Sequence, residues 1–388
     1  AGAAARAATS PQPAEEMVDL ARSYPFYGAG EQAGIRTPPQ RHVFFMSFDL
    51  TTARREDLRM LLALWSGAIA QMVQGRTIGQ VEPAGPNGVG MDTGEALEIG
   101  PAALTVTVGL GPRVFGDEFG LAAQKPARLR PLVQLPSDAF DPSLTGGDLS
   151  LQACADDPQV AYHAVRDLAR LARSTGAAST RWAVLGFGRA SAGPAQTTPR
   201  NLLGFKDGTR NIQSDEDYER FVWVADGPAW QRRGTYQVVR KISMNLENWD
   251  TNRVGNQNRV FGRHKLSGAP LSGTREFDTP DFTRLGADGK PMIPLNAHIA
   301  LAAHENNGGL KILRRSYNYT DGIGPYGQLS AGLLFISYQN DPAHFEALQT
   351  KLGAADALNE YISHIGSAVF FVPPAPAEGH HIAQEMFT

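Results

Sequence analysis

The sequence predicts an α+β fold made of two related α/β units with a ferredoxin-like layout. Three observations carry that expectation. A strand–turn–helix pattern occurs twice, at Leu149 to Ala161 and at Leu333 to Phe345. Its parts keep one offset, 342 − 158 = 333 − 149 = 184. Each copy follows a strand-like run at a similar offset, His42–Phe48 and Thr235–Ile242. Strands then interleave with helices in both halves, which suits a layered α+β architecture built by degenerate duplication.

In chain order, His42–Phe48 reads as the first strand, and Arg55 to Gln74 as an amphipathic helix. Leu104–Gly109, Leu149–Ala155 and Trp182–Phe187 supply the remaining strands of the first half. At Asp157-Pro158 and Asp341-Pro342 an aspartate precedes a proline at the start of a helical pattern. Aspartate suits a helix N-cap and proline the first helical position. Thr235–Ile242, Ile312-Leu313, Leu333–Tyr338 and Ala368–Val372 are the strands of the second half. The organisation expected is a flexible segment 1–40, a first unit 41–195, a connection 196–234, a second unit 235–376 and a tail 377–388. An ordered connection of that length usually carries function.

At 388 residues the chain exceeds the usual size of a single core. Hydrophobic content of 42% with 19% charged residues describes a globular protein. A net charge of −3 argues against nucleic acid as a partner. No apolar run approaches the roughly 18 residues of a membrane span. The single cysteine, Cys154, excludes an intramolecular disulfide, a cysteine zinc site and a cysteine-ligated iron–sulfur cluster. The opening Ala-Gly-Ala-Ala-Ala-Arg lacks an apolar core of its own and resembles what remains after signal cleavage. Export is the expectation, with a cytoplasmic location as the alternative.

The chemistry concentrates in two segments. In Gly204-Phe-Lys-Asp207-Gly208-Thr209-Arg210 a carboxylate sits between glycines beside Phe205, a poorly hydrated setting that raises the cost of its charge. Read alone, Asp-Gly is also ordinary turn chemistry. The second segment is Asn296-Ala-His298-Ile-Ala-Leu-Ala-Ala303, followed by Leu310-Lys-Ile-Leu-Arg314-Arg315-Ser-Tyr317-Asn-Tyr319. Strand alternation places Arg314 and Arg315 on opposite faces without saying which faces a site.

Together these segments resemble the dye-decolorizing peroxidase (DyP-type) family. So do Gly146-Gly-Asp-Leu149, Leu185-Gly-Phe-Gly-Arg189, Gly332-Leu-Leu-Phe335 and Glu360-Tyr-Ile-Ser-His-Ile-Gly-Ser367, in that order. The resemblance implies two ferredoxin-like domains of the dimeric α+β barrel type. It implies one haem b per chain, held non-covalently since no CxxCH is present. The reaction implied is reduction of hydrogen peroxide through a ferryl intermediate, at the expense of an organic or metal-ion reductant such as a dye or phenolic. Removal of iron from haem, or haem carriage, is the alternative. Oligomeric state is left open, and export by the twin-arginine route is the family habit.

Residue by residue, the resemblance makes His298 the axial ligand of the iron, with His304 as the competing histidine. Glu360 is the expected acceptor for the other ring N–H of His298. Asp207 and Arg315 are the expected catalytic pair, Arg315 being chosen by a spacing of 315 − 298 = 17 residues. Gly208, Thr209, Arg210, Ala303, His304 and Glu305 are expected around the haem edge. Leu333 and Phe335 are expected as a narrow apolar wall, and Arg263 as a partner for a propionate. Tyr317, Tyr319 and Tyr361 are candidates for a protein radical, with Trp249 in reserve.

Overall fold

In the computed structural model, residues 18–28, 30–85, 87–188 and 198–388 are described. The first 17 residues, on which the expectation of export rests, lie outside them, as do residues 189–197, which span the expected end of the first unit and the start of the connection. The first half runs β1 (His42–Leu50), α1 (Arg55–Met72), β2 (Thr105–Leu110), β3 (Leu149–Ala155), α2 (Pro158–Ser174) and β4 (Ala178–Phe187). This is the βαββαβ order expected of a ferredoxin-like unit. After α3 (Asp215–Phe221), the second half runs β5 (Thr235–Met244), α4 (Leu246–Asp250), α5 (Val254–Phe261), α6 (His298–Ala302), β6 (Leu313–Arg314), β7 (Tyr317–Ile323), β8 (Leu329–Gln339), α7 (Pro342–Ala355) and β9 (Ile362–Val372).

Both Asp-Pro steps do as their chemistry dictates. Asp157 accepts from the amides of Gln159 and Val160, and Asp341 from that of Ala343, so each caps the helix that its proline opens. Strand β7 was not among the strands read from the sequence.

The strands form one antiparallel sheet in the order β5-β9-β2-β3-β1-β4-β7-β8-β6, and β5 also pairs with β8. That extra pairing closes eight strands into a barrel, with β6 preceding β7 in the same register along one edge of β8. The halves meet at two seams, Leu110 opposite Phe371 and Gly186 opposite Tyr319. Eight strands leave an interior just wide enough for side chains to fill. Phe45, Trp182, Tyr317, Leu334, Tyr338 and Phe370 are among those that fill it. Helices α1 and α2 cover the outer face of the first half over Leu58, Trp65, Leu151 and Leu168.

Strand alternation separates the faces of β8. Leu334, Ile336 and Tyr338 point into the barrel, while Leu333 and Phe335 point outward beneath the second half's helices. Two expectations fail at the termini. The described residues among 18–40 are not a loose arm: Phe26 and Ile35 are buried, and Gln32 donates to the carbonyls of Val108 and Pro373. The segment 377–388 is not a solvated tail, because Ile382 and Met386 are fully buried and His381 nearly so. No helix among the described residues is long and apolar enough to cross a membrane.

Candidate active site

The segment after Thr198 folds back on itself. Arg200 bridges to Lys206, and the Asn201 amide donates to the Phe205 carbonyl at 3.0 Å. Phe205 is buried, stacked on Phe261 with ring centres 4.0 Å apart. That anchor presents the next residues, Lys206 to Arg210, to a cavity of about 250 Å³. Gly208 has φ +128°, a conformation open to glycine and poorly tolerated by other residues, so the chain can turn sharply after Asp207.

Asp207 meets Arg314, whose Nη1 donates to its Oδ1 at 2.9 Å. Asn211 holds the same arginine by its backbone: its Nδ2 donates to the Arg314 carbonyl at 2.7 Å, and its Oδ1 accepts the Arg314 amide at 2.9 Å. One short motif therefore supplies the carboxylate and fixes the strand that carries the guanidinium.

Another wall is α6. Its apolar side packs through Ala297 and Ala300 against Ile293, which leaves His298 lining the cavity. His298 Nδ1 lies 2.6 Å from Asp356 Oδ2. Asp356 is itself fixed, since its Oδ1 accepts the Leu358 amide at 2.9 Å and caps the turn Ala357–Glu360. Burial works against a charged imidazole, but the Asp356 carboxylate outweighs it and holds the His298 pKa above its usual value. With Nδ1 committed, Nε2 is the ring atom left for the cavity.

The remaining walls are apolar, including Ile242, Met244, Phe261, Leu333, Phe335 and Leu358. Arg210, Arg263 and Arg314 also line the cavity. Arg210 is paired with Glu305 at 2.6 Å. Arg263 donates to the carbonyls of Gly268 and Glu276. Burial, and then the charge of Arg210, push its pKa down to about 10, with a further push from Arg314.

Several expected residues do meet here: Asp207, Gly208, Thr209, Arg210, Arg263, His298, Ala303, His304, Leu333 and Phe335 all line the one cavity. Glu305 touches it through Arg210. His304 Nδ1 lies 3.5 Å from Glu305 Oε2, a longer and weaker contact than that of His298 with Asp356.

Three expectations are corrected. Arg315 is not at the cavity: it is 2% exposed and donates to the Thr37 carbonyl and to Gln40. Arg314, of opposite parity, occupies the place expected for it. Glu360 is exposed, and the carboxylate on His298 belongs to Asp356, four residues earlier. Tyr317 and Tyr319 share the parity of Arg315 and are buried with it on the barrel side, where the Tyr317 hydroxyl lies 3.5 Å from Cys154 Sγ. Tyr361 does not line the cavity, but it packs edge-on to Trp249 at 4.8 Å.

Sequence reasoning also missed Asn211, Asp356 and the wall formed by Gln349 and His364. A signal existed for Asp356, because Asp-Ala-Leu after a helix is capping chemistry.

Two family models match the chain in succession: "Dyp-type peroxidase, N-terminal" over residues 32–188 and "Dyp-type peroxidase, C-terminal" over 198–377. A deferrochelatase of Yersinia pestis is 38% identical over 390 residues, covering 97% of this chain and 88% of that protein. The DyP-type peroxidase of Streptomyces coelicolor is 38% identical with a TM-score of 0.87, covering 96% of this chain and 99% of the other. Ferric DtpA from Streptomyces lividans gives the same identity and TM-score, with coverage of 96% and 99%. The two halves, the barrel they close and the cavity between Asp207 and His298 thus have one common explanation: this chain belongs to the DyP-type peroxidase family.

Proposed function

We infer that the protein is a haem-dependent peroxidase that reduces hydrogen peroxide and oxidises bulky organic reductants such as dyes and phenolics. The observation that carries this reading is the convergence of two pairs on one apolar cavity, His298 with Asp356 and Asp207 with Arg314.

The residues fit haem. A metal-binding histidine characteristically donates its second ring N–H to a carboxylate, as His298 can to Asp356. The apolar walls suit a macrocycle. Arg210, Arg263 and Arg314 line the cavity together, and burial followed by their mutual repulsion depresses the Arg263 pKa, a setting that suits the propionates. Cys154 lies buried in the barrel wall, so the haem is held without a thioether.

When bound, haem supplies the iron that takes up the oxidising equivalents of peroxide. His298 would hold that iron through Nε2, with Asp356 fixing its tautomer and raising its basicity. Asp207 accepts a proton from one peroxide oxygen and returns it to the departing one. Arg314 holds the charge that develops as the O–O bond breaks, and its guanidinium shuttles no proton. Leu333 and Phe335 leave room for peroxide and exclude a large aromatic, so the reductant gives up its electron from outside the cavity.

A second reading, favoured by the name of the curated relatives, is release of iron from haem. Two assays on haem-loaded protein separate them: dye bleaching with hydrogen peroxide, and porphyrin fluorescence after incubation with reductant. Catalytic bleaching without porphyrin supports the peroxidase. Porphyrin accumulation without bleaching refutes it.

A further inference from the structure

The first half holds a buried polar cluster that the peroxidase reading does not use. His163 and Asp167 stand one turn apart on α2, on the same face. The chain between α1 and β2 crosses that face and adds Asp92 and Glu95. The side chains of His163, Asp167 and Asp92 are 7%, 0% and 1% exposed. Each of the three offers one ligand atom, and these atoms lie within 4.8 Å of one another.

The histidine geometry points to a cation. Nδ1 has Thr93 Oγ1 as its hydrogen-bond partner at 3.3 Å and lies 3.2 Å from Glu95 Oε2, a buried oxygen that no hydrogen bond satisfies. A proton held there leaves the lone pair on Nε2. That atom is 3.7 Å from Asp92 Oδ2 and 3.7 Å from Asp167 Oδ2, beyond hydrogen-bond reach of both. A lone pair facing two carboxylates is repulsive unless positive charge lies between them. Two metal–ligand bonds of about 2.1 Å opened to about 120° span about 3.6 Å, which matches.

The carboxylates are also held in place. Asp92 accepts the amides of Ile78 and Gly94 at 2.9 and 2.8 Å, and Asp167 accepts Arg170 Nη1 at 3.0 Å and the Thr93 amide at 3.4 Å. A cavity of about 50 Å³ bordered by Asp92 and His163 leaves room for water to complete a coordination shell.

We propose that Asp92, His163 and Asp167 form a divalent transition-metal site that pins the turn around Asp92 to α2, with Glu95 as the carboxylate behind the histidine. One imidazole with two carboxylates suits zinc or manganese better than calcium or magnesium.

The test uses haem-loaded, full-length protein stripped of loose metal with a chelator. It is titrated with Zn²⁺ by calorimetry, and elemental analysis counts zinc apart from haem iron. The expected result is one zinc per chain and a higher melting temperature. His163→Gln and Glu95→Gln should each weaken binding by about 10–100-fold or more, with the Soret band and peroxide turnover unchanged. His380→Gln should bind as the parent does. If the parent takes up neither Zn²⁺ nor Mn²⁺ stoichiometrically, the proposal falls whatever the variants do, and a proton on His163 occupies the gap instead. Undiminished binding in both His163→Gln and Glu95→Gln overturns it equally.

Discussion

His298 and Asp356 lie 58 residues apart in the chain and 2.6 Å apart in the fold, Nδ1 to Oδ2. Asp356 serves two ends at once, since its other oxygen caps the turn that follows α7. Replacing it by asparagine keeps the shape and removes the charge. Partners of this kind typically contribute 10–100-fold to metal affinity or activity. Asp356→Asn should lose haem to a competing apoprotein about that much faster, or lose turnover by the same factor. Glu360→Gln should match the parent on both measures.

Arg315 makes a contrasting prediction. Its guanidinium is buried and ties the segment before β1 to the barrel through Thr37 and Gln40. Arg315→Met should leave those acceptors unpaired and cost about 1.5–3 kcal/mol of stability, read by denaturant unfolding. Folded Arg315→Met should react with peroxide at the parental rate.

His364 gives a pH dependence with a definite sign. It is 4% exposed; burial, and then the Arg240 charge, push its pKa to about 3 from 6.5. Between those values the unfolded chain binds a proton that the folded chain refuses. Stability is therefore lost as pH falls from about 6.5 towards 3, by at most about 1.4 kcal/mol per pH unit from this group. His364→Gln should flatten the stability profile over that window, and curves that stay parallel would remove His364 as the cause.

The tyrosines should divide by position. Ring contacts run from His298 to Phe261 at 5.9 Å, to Trp249 at 5.7 Å and to Tyr361 at 4.8 Å. Tyr317 and Tyr319 lie inside the barrel wall instead. If the reductant's electron reaches the cavity by this aromatic route, Trp249→Phe or Tyr361→Phe should slow dye oxidation without changing the reaction with peroxide. Tyr317→Phe and Tyr319→Phe should change neither. Equal dye rates in all four variants would leave the haem edge as the place of oxidation.

These corrections show where sequence stops being informative. The duplication was legible because Asp157-Pro158 and Asp341-Pro342 repeat local capping chemistry, which needs no knowledge of tertiary contacts. The cavity residues Asp207, His298, Leu333 and Phe335 were legible through the motifs that hold them. The choice between Arg314 and Arg315 was not. Alternation says that they part, but only the pairing of β6 with β8 and the Asn211 clamp decide which one meets Asp207. Asp356 and Glu360 were confused because both flank one short turn, and the docking of that turn on α6 is a long-range contact. The strand β7 was overlooked because Tyr317 to Ile323 ends in four exposed residues, Thr-Asp-Gly-Ile, that do not alternate as a half-buried strand does.

The most direct test of the whole account is the stopped-flow rate at which hydrogen peroxide changes the Soret spectrum of haem-loaded protein. It should be compared among the parent, Asp207→Asn and Arg314→Leu. Positioned acid–base catalysis is typically worth about 10²–10⁴-fold, and a lost charge-stabilising donor about 10²–10³-fold. Both variants should bind haem and slow by about those factors. Parental rates in both variants would contradict the assignment of Asp207 and Arg314 to peroxide cleavage.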